Sequence, residues 1–115
     1  MKIYQGEPLG GKINIKDGDA YLPSLEGVSF DAALVSSRGI IVRRWSTEDG
    51  TITVGQETID GQTVGYAAFS ASGNVTKKMD GGAYTIEVAK VLEDGKAIGV
   101  AREAVIVLRS AIGRL

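Results

Sequence analysis

Asp80-Gly81-Gly82-Ala83-Tyr84-Thr85-Ile86-Glu87-Val88 runs from a tight-turn dipeptide straight into an alternating segment. Aspartate followed by glycine suits a close turn, because glycine has no Cβ to clash at positive φ. Beyond the turn, Tyr84, Ile86 and Val88 take one face and Thr85 and Glu87 the other. That period of two marks a half-buried strand. The same turn signal recurs at Asp17-Gly18, Asp49-Gly50, Asp60-Gly61 and Asp94-Gly95. A chain that turns this often, with short apolar runs between, is built from strands.

Upstream, Val28, Phe30, Ala32 and Leu34 alternate with Ser29, Asp31 and Ala33 and give another half-buried strand. Ser36-Ser37-Arg38-Gly39 turns the chain into Ile40-Ile41-Val42-Arg43-Arg44-Trp45, and Asp49-Gly50 leads to Thr51-Ile52-Thr53-Val54, where Ile52 and Val54 face one way. Val64 to Ser70 is the next strand, and Ser70 to Met79 reads as a helical turn or crossover loop. Nearer the N-terminus, Lys2-Ile3-Tyr4 and Lys12-Ile13-Asn14-Ile15-Lys16 read as one edge strand, broken at Pro8 and the Gly10-Gly11 pair. Lysines on such an edge discourage pairing with stray strands. Downstream, the run from Lys96 to Leu108 changes parity at Arg102-Glu103, which predicts a β-bulge. A helix over Val100 to Arg109 competes, but the β-branched run from Val105 favours a strand. The expectation is an all-β sandwich of about seven antiparallel strands in a single domain over residues 1–115.

Composition removes several functions. The chain of 115 residues contains neither cysteine nor histidine, which excludes thiolate and imidazole zinc sites and both Ser-His-Asp and Cys-His catalysis. A net charge of −1 gives no broad attraction to nucleic acid or to an anionic membrane. No apolar run approaches the ~20 residues that span a bilayer. The N-terminal residues Met1 to Gly6 lack the apolar core of a secretion signal, so synthesis and residence in the cytoplasm are expected.

Motifs of chemistry are sparse. Gly6-Glu7-Pro8-Leu9-Gly10-Gly11-Lys12 has the glycine and lysine spacing of a phosphate-binding loop, but Ile13 stands where a Ser or Thr would hold magnesium, and the following residues alternate as a strand. Asp17-Gly18-Asp19 lacks the remaining ligands of a calcium loop and reads as a solvated turn. Asn74-Val75-Thr76 matches a glycosylation pattern without an export signal. Arg43-Arg44-Trp45 is the candidate binding surface, since a tryptophan beside two guanidinium groups can stack on a sugar or anchor a protein. The preferred reading of the same residues places Trp45 in the core or over the end of the sandwich, with the arginine side chains lying along it. No catalytic residue, metal or cofactor is expected.

The most specific signature is structural. Asp80, Gly82 and Tyr84 put a tyrosine at the start of a strand just past a tight corner, where its ring packs inward and its hydroxyl ties back to the backbone. Here the chain resembles immunoglobulin-like domains. Ile86 stands where antibody-type domains carry their second cysteine, Phe30 near the first, and Trp45 in the place of the core tryptophan. In pattern, over roughly residues 2 to 110, the chain is similar to the immunoglobulin-like domains of bacteriophage tails, in particular the N-terminal domain of baseplate upper proteins. That resemblance implies a non-catalytic assembly module, virion-associated, that contacts other tail or baseplate proteins and forms a possible homo-oligomer. A carbohydrate- or cell-surface-binding module using Trp45, Tyr21 or Tyr66 is the alternative.

Overall fold

The computed structural model describes residues 1–17 and 20–109. Along them run β1 (Lys2–Tyr4), β2 (Leu9–Asn14), β3 (Lys16–Asp17), β4 (Ala20–Tyr21), β5 (Ser29–Ser36), β6 (Ile41–Ser46), β7 (Thr53–Ile59), β8 (Gln62–Ala71), α1 (Gly73–Thr76), β9 (Gly82–Val91) and β10 (Ala97–Leu108). A five-stranded sheet of order β1-β10-β9-β5-β6 packs against a three-stranded sheet of order β2-β8-β7. Strands β3 and β4 form a small separate pair. This is an immunoglobulin-like β-sandwich, with β2, β8 and β7 in one layer and the hairpins β5–β6 and β9–β10 in the other.

The chain breaks between β1 and β2 and changes sheets there, so the segment expected as one strand becomes two. Gly6 takes φ 93 at that break, just before Pro8. Gly10 and Gly11, expected at the break, lie inside β2 instead. A Cβ on Gly11 would sit 2.6 Å from the Phe69 ring, so the glycine makes room for a core aromatic. β1 also pairs parallel with β10, against the all-antiparallel expectation.

Alternation in β5 comes out as the sequence reads: Phe30, Ala32 and Leu34 are buried and Ser29 and Asp31 exposed. They join Leu9, Trp45, Phe69, Tyr84, Ile86, Val105 and Val107 in one core between the sheets. Phe30, however, belongs to the same sheet as Ile86, through the β5–β9 ladder, and not to the facing layer. Trp45 likewise sits one strand beyond β5, on β6. The cysteine and tryptophan equivalences therefore fail at Phe30 and Trp45, because strand β2 occupies the facing position.

The Asp-Gly turns divide by geometry. Asp60 and Gly61 both have positive φ, 50° and 79°, and close the two-residue hairpin between β7 and β8. Gly50 and Gly95 also take positive φ. At Asp80-Gly81 the positive φ falls one residue later, on Gly82 at 141°. Gly18 and Asp19 lie outside the described residues, as do the turn and the calcium reading that rest on them. Ile52 is buried in the turn before β7, whereas Val54 is exposed on the strand, so the two do not share a face. The bulge in β10 occurs between Gly99 and Ala101, earlier than Arg102-Glu103, and the competing helix does not form.

A candidate protein interface at the edge strand

Among the described residues strand β6 ends the five-stranded sheet, with β5 on one side and no paired strand on the other. Ser36 holds the hairpin that feeds it: the Ser36 N–H donates to Ile40 O at 2.8 Å, and Ser36 Oγ accepts from the Ile40 N–H at 3.1 Å. At the far end Ser46 is closed off, since its N–H donates to Thr51 Oγ1 at 2.8 Å and its carbonyl accepts from the Ile52 N–H at 2.9 Å. Backbone groups alternate sides along a strand. Counting back from Ser46, the Arg44 N–H and C=O point to the open side.

The side chains follow from the register. Trp45 lies opposite buried Ala32 and Arg43 opposite buried Leu34, so both are on the inner face. A bulge between Leu34 and Val35 inserts Val42, and Ile41 opposite Val35 turns outward. Ile40, Ile41 and Val42 remain 60%, 42% and 37% exposed, and Arg43 and Arg44 are exposed beside them. An edge strand that opens on two exposed aliphatics, with a third just before it, is unusual, because such edges invite pairing.

Trp45 anchors this strand and takes no part in its surface. It is 2% exposed, its Nε1–H donates to Ser70 O at 2.7 Å, and its ring lies 4.8 Å from that of Phe69. Burying an aromatic of this size is worth about 4–6 kcal/mol at ~25 cal/mol per Å². The stacking platform read from Arg43-Arg44-Trp45 thus loses its tryptophan and keeps its two arginines. Tyr66 is engaged too: its ring covers Gly55, where a Cβ would be 2.5 Å away, and Lys12 Nζ sits 5.3 Å over it. Lys12 also pairs with Glu57, and that bond and one from Asn14 hold the Glu57 carboxyl below its ordinary pKa.

Next to the β6 hairpin stands the corner. The Tyr84 hydroxyl donates to Asp80 O at 2.7 Å, and the residue is 8% exposed. Burial, with the nearby Asp80 charge, pushes its pKa up. Gly82 provides the φ of 141° that admits the bend, and the Asp80 side chain stays exposed. Between corner and edge strand opens a hollow of about 380 Å³, lined by Ile40, Val42, Val75, Met79 and Tyr84 with Arg38 and Lys78 beside them. On the outer face of the sheet, Arg44 shares a shallow depression with Asp31, Asp49 and Glu87. Glu87 pairs with Arg102 at 2.7 Å, and hydrogen bonds from Thr51, then the Arg43 charge, lower the Asp49 pKa. Among the described residues no group of three potential ligands could hold a metal ion.

Sequence reasoning named Arg43 and Arg44 but missed Ile40, Ile41 and Val42 as surface. Their β-branched run reads as core until the sheet order shows that β6 is terminal.

No protein-family model matches the chain, and no curated protein does. Among solved structures it is similar to CopC from Methylosinus trichosporium OB3b, at 12% identity and a TM-score of 0.45, over 94% of this chain and 82% of that one.

Proposed function

We propose that this domain is a non-catalytic assembly module, joining other structural proteins through the free edge of β6 in a bacteriophage or prophage tail or baseplate. One observation carries the assembly role: Ile41 and Val42, with Ile40 just before them, stand exposed beside Arg43 and Arg44 on a strand with an open hydrogen-bonding side among the described residues. The tail or baseplate setting rests on the sequence resemblance around Asp80, Gly82 and Tyr84. In this reading the chain is made in the cytoplasm and carried in the particle. The sugar-binding alternative is not favoured, since Trp45 is buried and Tyr66 is packed over Gly55, which leaves only Tyr21 of the three aromatics exposed for it.

A photo-cross-linking residue placed at Ile41 or Arg44, in the cells that make the protein, tests the role. Adducts with structural components of a phage or prophage particle are expected, identified by mass spectrometry. Adducts confined to metabolic enzymes, or none from either position, would overturn it.

A further inference from the structure

The free edge of β6 is divided lengthwise. Ile41 and Val42, with Ile40 leading into them, form its first half and Arg43 and Arg44 its second. The division holds on both faces. Ile40 and Val42 line the hollow while Ile41 points outward; Arg43 lies on the inner face while Arg44 lies on the outer one. A strand added here places its side chains about 4.5–5.5 Å from their partners on β6. It therefore meets apolar surface along one half and positive charge along the other, whichever way its own side chains alternate.

From this we infer that β6 receives an extended segment of a different protein by strand addition, a segment apolar at one end and acidic at the other. The inference rests on the assembly reading and names the partner's chemistry. Main-chain bonds to Arg44 would supply affinity, and the hollow beneath Ile40 and Val42 would take an inward aliphatic side chain. Its volume of about 380 Å³ suits this, and Tyr84 and Val75 form apolar parts of its wall.

Charge selects the occupant. Arg38, Arg44 and Lys78 form no ion pair among the described residues, and Arg43 has only a longer-range attraction to Asp49. Asp31 lies opposite Ser46 and so diagonal to Arg44, Asp49 is engaged by Thr51, and Glu87 is two strands back and paired with Arg102. A carboxylate directly opposite Arg44 on an added strand would therefore be closer to it than the diagonal Asp31. A second copy of this chain fits poorly. Antiparallel pairing about Arg43-Arg44 sets guanidinium against guanidinium, and pairing about Val42 sets Ile40 against Arg44. Like charges directly opposite destabilise a ladder.

Three labelled peptides test this by fluorescence anisotropy: Glu-Asp-Glu-Val-Ile-Val-Ile, its interleaved isomer Glu-Val-Asp-Ile-Glu-Val-Ile, and Lys-Arg-Lys-Val-Ile-Val-Ile. The first is expected to bind about tenfold tighter than the other two and to weaken as salt rises. Amide exchange at Arg44 should slow in that complex. The double substitution Arg43→Glu with Arg44→Glu, checked for folding by circular dichroism, should reverse the preference toward the basic peptide. Equal binding of all three, or binding without protection at Arg44, would overturn the inference. Protection of β6 that grows with protein concentration alone would overturn it in favour of a second copy. If cross-links at Ile41 persist while the peptides fail, the partner's chemistry is wrong and the assembly role stands; loss of both removes both.

Discussion

Replacing Tyr84 with Phe isolates the bond that closes the corner. The ring keeps its place in the core, so the change removes one hydroxyl and the 2.7 Å bond to Asp80 O. A net hydrogen bond of this kind contributes about 1 kcal/mol, and the Asp80 carbonyl it leaves belongs to an exposed residue that water can reach. With about 2.1 cal/mol/K of unfolding entropy per residue, the 115 residues give about 0.24 kcal/mol/K, and Tm falls by about 4 °C. Urea and thermal melts at neutral pH measure both numbers. The pH dependence gives a second check. Burial raises the Tyr84 pKa in the fold above its unfolded value near 10. Above that unfolded value the unfolded chain has released the proton while the folded one still holds it. The tyrosine's stabilising contribution is therefore whole below about pH 10 and is lost as pH rises through the folded pKa. The gap between the parent and the Tyr84→Phe protein should accordingly narrow in alkali. A variant within about 0.3 kcal/mol of the parent, or a gap that stays constant past pH 10, would refute the account of the corner.

Two further substitutions probe the packing. Thr76 is fully buried, donates from Oγ1 to Glu7 O at 2.6 Å and accepts from the Gly6 N–H at 3.2 Å. Thr76→Val keeps the shape and loses both bonds, so a cost of about 2 kcal/mol is expected, with faster amide exchange at Gly6. Trp45→Phe removes the Nε1 bond to Ser70 and leaves space beside Phe69, for a loss of about 2–3 kcal/mol in denaturant melts. In the parent, Trp45 emission should be blue-shifted and resist iodide.

The strand content was legible because local chemistry carries it. The alternation of Phe30, Ala32 and Leu34 and the Asp60-Gly61 hairpin depend on residues within a few positions of each other. The errors share one cause, which is that the deciding partner lies far along the chain. Gly11 reads as a breaker until Phe69 is seen resting on it. Strand β7 passes through Gly55, Gln56 and Glu57, poor strand formers held by the β8 ladder and by the Tyr66 ring over Gly55. Of the candidate site, the arginines were visible as charges. The openness of β6 was not, because sheet order is set by which strands pair and β-branched residues suit a central strand as well as an edge.

The parallel pairing of β1 with β10 has a mechanical consequence. The ladder runs from Lys2 beside Ile106 to Tyr4 beside Leu108, reinforced by bonds from the Ile106 N–H to Met1 O and from the Gln5 N–H to Leu108 O. A pull entering at Lys2 and leaving at Leu108 drags the two strands past each other along their length. The cross-bridges then share tension together and do not peel in succession. Under such traction the first rupture needs several bonds to yield at once, and the rate of that event governs survival under force.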